Sequence, residues 1–214
     1  MKRICFTLIF LACNTFAFAQ DDYNKLMTDN ISKLEVTRNI EDFADIANVF
    51  DQIGYENGTW QSYYFAAYAY IKKGKALLQE NKPQEIDEAA EMAEKYATLA
   101  MLKNPKTAEG PLLFKMIHNL KMNVNLEERY AQESELGNKF MIEANKLDQN
   151  NPRLLLVKAE ELYFNPTKFG GDEEKGIALL QKAVDQFKTF KPASNLDPNW
   201  GKAEAELLLK QAKK

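Results

Sequence analysis

Residues 59–71 read Thr59-Trp60-Gln61-Ser62-Tyr63-Tyr64-Phe65-Ala66-Ala67-Tyr68-Ala69-Tyr70-Ile71. Trp60, Tyr63, Tyr64, Ala67, Tyr68 and Ile71 fall at the spacing of one apolar helix face, and nothing here alternates with period two. Thr59 stands where an N-cap belongs. Tyr63, Tyr64 and Phe65 follow one another, so on a one-sided helix they cannot all point inward. The aromatic group reads in two ways: as core, with tyrosine hydroxyls reaching solvent, or as a groove offering rings and hydroxyls to a ligand.

The same helical spacing continues in both directions. Upstream, Tyr23, Leu26, Met27 and Leu34 share a face; Ile40, Phe43, Ala44, Ala47, Phe50 and Ile53 share another, with Gly54 expected to stop that helix. Downstream, Ile86, Ala89, Ala90, Ala93, Tyr96, Ala97 and Ala100 make a small-residue stripe ended by Asn104-Pro105. Further stripes run from Leu112 to Leu120 and from Leu126 to Leu147. Leu154 to Phe164 is apolar enough to predict a buried helix. Asp172 is placed to cap a helix carrying Ile177, Leu180, Ala183, Val184 and Phe187, and Trp200 opens a final one. The spacing predicts nine helices and no strand: an all-α chain.

The first residues form an address. Met1-Lys2-Arg3, the apolar Ile4 to Ala12 and Ala17-Phe18-Ala19 have the layout of a signal peptide cleaved before Gln20. Leu11-Ala12-Cys13 also resembles the end of a lipobox, so a lipoprotein anchored through Cys13 is the alternative. Conventional cleavage would remove both cysteines, Cys5 and Cys13, leaving no disulfide, thiol nucleophile or Cys-ligated metal. No later segment is long and apolar enough to span a bilayer. The expected organisation is a signal peptide over 1–19, an N-terminal helical hairpin over 20–58 and helical repeats over 59–214 with a capping last helix.

Charge excludes one class of partner. The 214-residue chain has 28 Lys plus Arg against 31 Asp plus Glu, a net charge of −3. Beyond the leader its arginines are Arg38, Arg129 and Arg153. Nucleic-acid binding needs a basic face, and none is written here.

Two helix ends carry similar text: Ala97-Thr98-Leu99-Ala100-Met101-Leu102-Lys103-Asn104-Pro105, and Ala144-Asn145-Lys146-Leu147-Asp148-Gln149-Asn150-Asn151-Pro152. They resemble the second helix of a tetratricopeptide repeat, with Ala93, Ala100 and Pro105 at that family's small, small and proline positions. The Trp60 to Ala67 segment looks like the first helix of such a unit. The intervals depart from the family period of about 34 residues, since Ala100 and Ala144 are further apart. The chain therefore resembles exported bacterial tetratricopeptide-like proteins with degenerate repeats. Its Asn165 to Gly176 loop, with Pro166 and Gly170-Gly171-Asp172, is also similar to one in the periplasmic T component of tripartite ATP-independent transporters. The first resemblance implies a helical-hairpin array in the Gram-negative periplasm that binds an envelope protein or peptide. The second implies a small-molecule or glycan carrier.

Candidate sites follow from this. Trp60, Tyr64 and Tyr68 are the expected binding surface on the first helices, and Phe169, Gly170, Gly171 and Asp172 the expected second contact. Gly170-Gly171-Asp172-Glu173-Glu174 nearly spells a diguanylate cyclase signature, but it lacks the β-hairpin that chemistry needs and reads as a turn feeding an N-cap. His118 is the single histidine, with no partner for a metal site or triad, and is expected to be hydrogen-bonded or at the surface. No catalytic residue, cofactor or metal is expected. An open array predicts a groove without a deep cavity, whereas a carrier predicts a pocket of about 300 Å³ or more between hairpins.

Overall fold

The computed structural model describes residues 22–213. The leader, Gln20 and Cys13 lie outside them. Nine α-helices and no strand occur among the described residues. They are α1 (22–36), α2 (Ile40–Asn57), α3 (Trp60–Gln79), α4 (Ile86–Lys103), α5 (Glu109–Val124), α6 (Leu126–Leu147), α7 (Pro152–Phe164), α8 (Glu173–Phe187) and α9 (Lys202–Ala212). None is long and apolar enough to cross a membrane.

Consecutive helices pair: α2 with α3, α3 with α4, α5 with α6, α7 with α8, and α8 with α9. The odd-numbered helices α3, α5 and α7 also meet across hairpins. The chain is thus an array of helical hairpins, with odd helices inside and a solitary last helix. The alanine stripe of α4 explains its tight pairing. Ala89, Ala90, Ala93, Ala97 and Ala100 are all buried, so its backbone can approach α3 and α5 closely.

Between Ser62 and Ile71 α3 is enclosed on every side. α2, α4 and α5 pack against it, and α1 closes the rest through Tyr23, whose hydroxyl donates to Thr59 Oγ1 (2.9 Å), and Met27, whose sulfur accepts from Ser62 (3.4 Å). Tyr63, Tyr64 and Phe65 are consequently all buried, against the one-sided expectation. Thr59 does occupy the N-cap position, but its hydroxyl serves Tyr23 and Ser62 and makes no capping bond.

Gly54 does not end α2. The helix continues to Asn57 and stops at Gly58, whose φ of 67° lets its N–H reach the Gly54 carbonyl. Gly54 serves packing: a Cβ there would meet the Tyr63 ring at 2.8 Å. Two other expectations are corrected. Phe164 is exposed at the end of α7, and of the α6 stripe only Gly137 and Ala144 are buried, because α6 pairs with α5 and barely touches α7.

Candidate functional site

The four inner helices α3, α5, α7 and α9 line a half-open cavity of about 410 Å³ towards one end of the array. Its volume is above the size of about 300 Å³ at which ligand pockets begin. Its walls are apolar: Met116, Leu120 and Met122 from α5, Val157 from α7 and Leu208 from α9. Leu78 (39% exposed) and Phe164 (62% exposed) stand at its rim, which leaves a large aromatic ring facing water beside an apolar space. The carboxamides of Gln79, Asn119, Asn123 and Asn165 complete the lining.

One polar cluster is set in this wall. Lys75 Nζ of α3 donates to both carboxyl oxygens of Glu160 on α7 (3.1 Å each) and to Glu204 Oε1 on α9 (3.2 Å). Two carboxylates share one ammonium, and their environments split them. Burial pushes Glu160 up to about 8, with the Glu204 carboxylate adding to the rise and Lys75 opposing it. Lys75 holds Glu204 below the usual range. Burial would lower Lys75, but the two carboxylates outweigh it and hold it above an ordinary lysine. Near neutral pH the Glu160–Glu204 pair therefore keeps one proton between them, and with Lys75 the cluster is electrically balanced without a free cation. Glu161, also on the wall, is tied to buried Lys115 (2.7 Å) and to Lys158 (3.1 Å).

The Glu160 shift fixes a sign. A carboxyl whose folded pKa is raised stabilises the fold below its unfolded pKa, and that contribution is lost as pH rises through about 8. Lys75 and Glu204 do not titrate in this window, since one is raised above the ordinary lysine value and the other lowered below the ordinary carboxylate value. Urea unfolding should show the wild type losing about 1–2 kcal/mol more than Glu160→Gln between pH 6 and pH 9, a value reduced from full linkage because the cavity admits water. Parallel profiles for the two proteins would contradict this assignment.

The expected binding residues are distributed otherwise. Tyr64 is fully buried and Tyr68 is 4% exposed. The Trp200 indole N–H donates to the Tyr64 hydroxyl (2.7 Å), and the Tyr68 and Trp200 rings stack at 4.6 Å. Both tyrosines fill the inner side of the array, so the open aromatic groove expected of them is corrected: Trp200, just ahead of α9, covers it. Trp60 is half-buried and lines a separate polar cleft. The loop at 169–172 lines neither space. Phe169 packs on Tyr130 (5.4 Å between rings), Gly170 is exposed, Gly171 is buried, and Asp172 caps α8 by accepting from the Lys175 N–H (3.1 Å). The loop's first residue, Asn165, does reach the cavity.

His118 is buried, its Nδ1 is 2.7 Å from Glu133 Oε2, and its ring stacks on Phe140. It does not line the cavity. No cluster of three or more His, Cys, Asp or Glu able to hold a metal occurs among the described residues. Sequence reading missed Lys75, Glu160, Glu204 and the rim residues Leu78 and Phe164. The available signal was Glu160-Glu161 inside the apolar run from Leu154 to Phe164.

No protein-family model and no curated protein matches the chain. Among solved structures it is similar to the HusA haemophore from Porphyromonas gingivalis, with 25% identity, a TM-score of 0.76, and coverage of 89% of this chain and 92% of that one. The likeness spans nearly the whole array.

Proposed function

We propose that the protein is an exported, non-catalytic carrier that holds a flat, largely apolar ligand in the cavity between α3, α5, α7 and α9, with haem or a related porphyrin as its cargo. The observation that carries this reading is the apolar-walled cavity of about 410 Å³ with an exposed aromatic rim, in a chain that shares its fold with a haemophore. Ligand pockets fall between about 300 and 1,000 Å³ and are mostly apolar with a few placed polar groups. The residues present suit a macrocycle: Met116, Leu120, Met122 and Val157 against its face, and Leu78 and Phe164 at its edge. Its carboxylates would face water at the carboxamide rim, because Lys75 is already matched by Glu160 and Glu204. His118 is committed to Glu133 on another face of α5, so retention rests on the ring and not on imidazole ligation. Protein capture along the inner helices is disfavoured because Tyr64, Tyr68 and Trp200 fill that side.

Titration with hemin and with metal-free protoporphyrin IX, followed by absorbance and tryptophan quenching, tests the proposal. Both are expected to bind saturably and within about threefold of each other, which is less than 1 kcal/mol. Leu78→Glu with Phe164→Glu should weaken both by at least tenfold, about 1.4 kcal/mol, while the melting temperature stays put because both side chains are exposed. Absence of saturable binding, or equal binding to the variant, refutes the site.

A further inference from the structure

At the opposite end of the same inner helices lies a second cleft, of about 550 Å³. It is bounded by the first turns of α3 and α5, the turn between α6 and α7, and the loop that leads to α9. We propose that this cleft is a separate ligand site for a neutral polyhydroxylated small molecule, a mono- or disaccharide.

The cleft's chemistry is the reverse of the cavity's. Trp60 supplies the aromatic surface, held edge-on against Tyr64 at 5.9 Å and only half-buried. Around it stand planar polar groups that are already fixed. The Gln61 carboxamide donates to Asp197 Oδ1 (3.0 Å), and Asp197 Oδ2 accepts from the Ser194 N–H (3.2 Å). Asn151, 2% exposed, donates to Glu109 Oε1 (2.7 Å) and accepts from the Arg153 N–H (3.1 Å). Groups pinned in this way lose little freedom when they bind.

Glu109 forms part of the cleft wall at 5% exposure, and Arg153 and Asn151 both use its Oε1. Its Oε2 is turned away from the cleft into the protein, on the side of the Tyr64 hydroxyl.

Charge selects the class of ligand. Arg153 neutralises Glu109, which leaves Lys106 against Asp148 and Asp197, a nearly balanced set. An anion would meet more carboxylates than cations, and an apolar body would strand the amides. Hydroxyl groups both donate and accept, so they match carboxylates and carboxamides together, while a sugar's C–H face packs on the indole.

The chain has two tryptophans, so the indole N–H resonances of Trp60 and Trp200 are readily assigned. We would titrate the protein with N-acetylglucosamine, galactose and maltose at millimolar concentration, and in parallel with tetralysine. At least one saccharide should shift the Trp60 indole saturably. Trp60→Ala, which removes that resonance, should abolish the heat of binding in calorimetry, and Asp197→Asn should weaken binding at least fivefold, about 1 kcal/mol, while still melting cooperatively. Saturating hemin should leave the saccharide affinity unaltered, so failure of either site does not decide the other. Response to tetralysine alone, or no response to any probe, overturns the proposal, as does a saccharide affinity that Asp197→Asn leaves intact.

Discussion

Replacing Tyr64 and Tyr68 together by alanine is expected to unfold the protein, not to leave a folded chain that has lost its ligand. Tyr64 is fully buried and meets Phe65 edge-on at 5.3 Å while accepting the Trp200 N–H. Burial, helped by the Glu109 charge, pushes its phenol pKa well up, so it stays neutral in the core. Tyr68 stacks on the same indole. Truncating a buried aromatic to alanine costs about 3–5 kcal/mol, and domains are stable by about 5–15 kcal/mol. Two such losses around one tryptophan reach the lower half of that range. Thermal melting by far-ultraviolet circular dichroism should show no cooperative transition in the double variant. Tyr64→Phe is the milder probe: it keeps the ring and strands the Trp200 N–H, for about 1–3 kcal/mol. A double variant that melts cooperatively near the wild-type temperature would return both tyrosines to the surface role expected of them from the sequence.

Why that surface role was attractive, and why it fails, lies in what periodicity can express. A stripe at spacing 3.6 says which residues share a face, not how many faces are covered. In α3 the stronger signal was the apolar text on all sides between Tyr63 and Ile71, the mark of an enclosed helix. α6 shows the converse, since its long stripe has only α5 to pack against and Phe140 and Met141 stay only partly buried. Helix number, hairpin order and the Asp172 cap were legible because each is set by neighbours a few residues apart. The cavity was not. Lys75 meets Glu160 and Glu204 across gaps of 85 and 129 residues, and no local rule couples them. The relation between the cavity and the Tyr64–Trp200 contact is of the same kind. Trp200 was readable as the opening of a last helix, whereas its burial depends on where α8 delivers it.

Arg153 supplies the second large effect, and it explains how that delivery is held. Its guanidinium is 2% exposed, ion-paired to Glu109, and lies over the rings of Phe190 (4.8 Å) and Trp200 (5.7 Å). It therefore joins the starts of α5 and α7 to the loop that carries Trp200 onto Tyr64 and Tyr68. The pairing is incomplete, with Nε and Nη1 of Arg153 buried and without hydrogen-bond partners. Removing one member strands the other charge inside the protein, so Arg153→Met and Glu109→Leu should each cost about 3–5 kcal/mol. For a chain of this size that is a fall of about 10 °C or more in melting temperature. The double variant should recover most of the loss and lie within about 1–2 kcal/mol of the wild type, because two apolar side chains of similar volume need no partner. Arg153→Met alone should also loosen Trp200, and its near-ultraviolet signal should fall before the helices melt. If each single variant costs less than about 1 kcal/mol, the ion pair is solvated and the loop is held by ring packing alone. In that case the hydrophobic contacts of Phe190 and Trp200, not the buried charge, keep the inner side of the array closed.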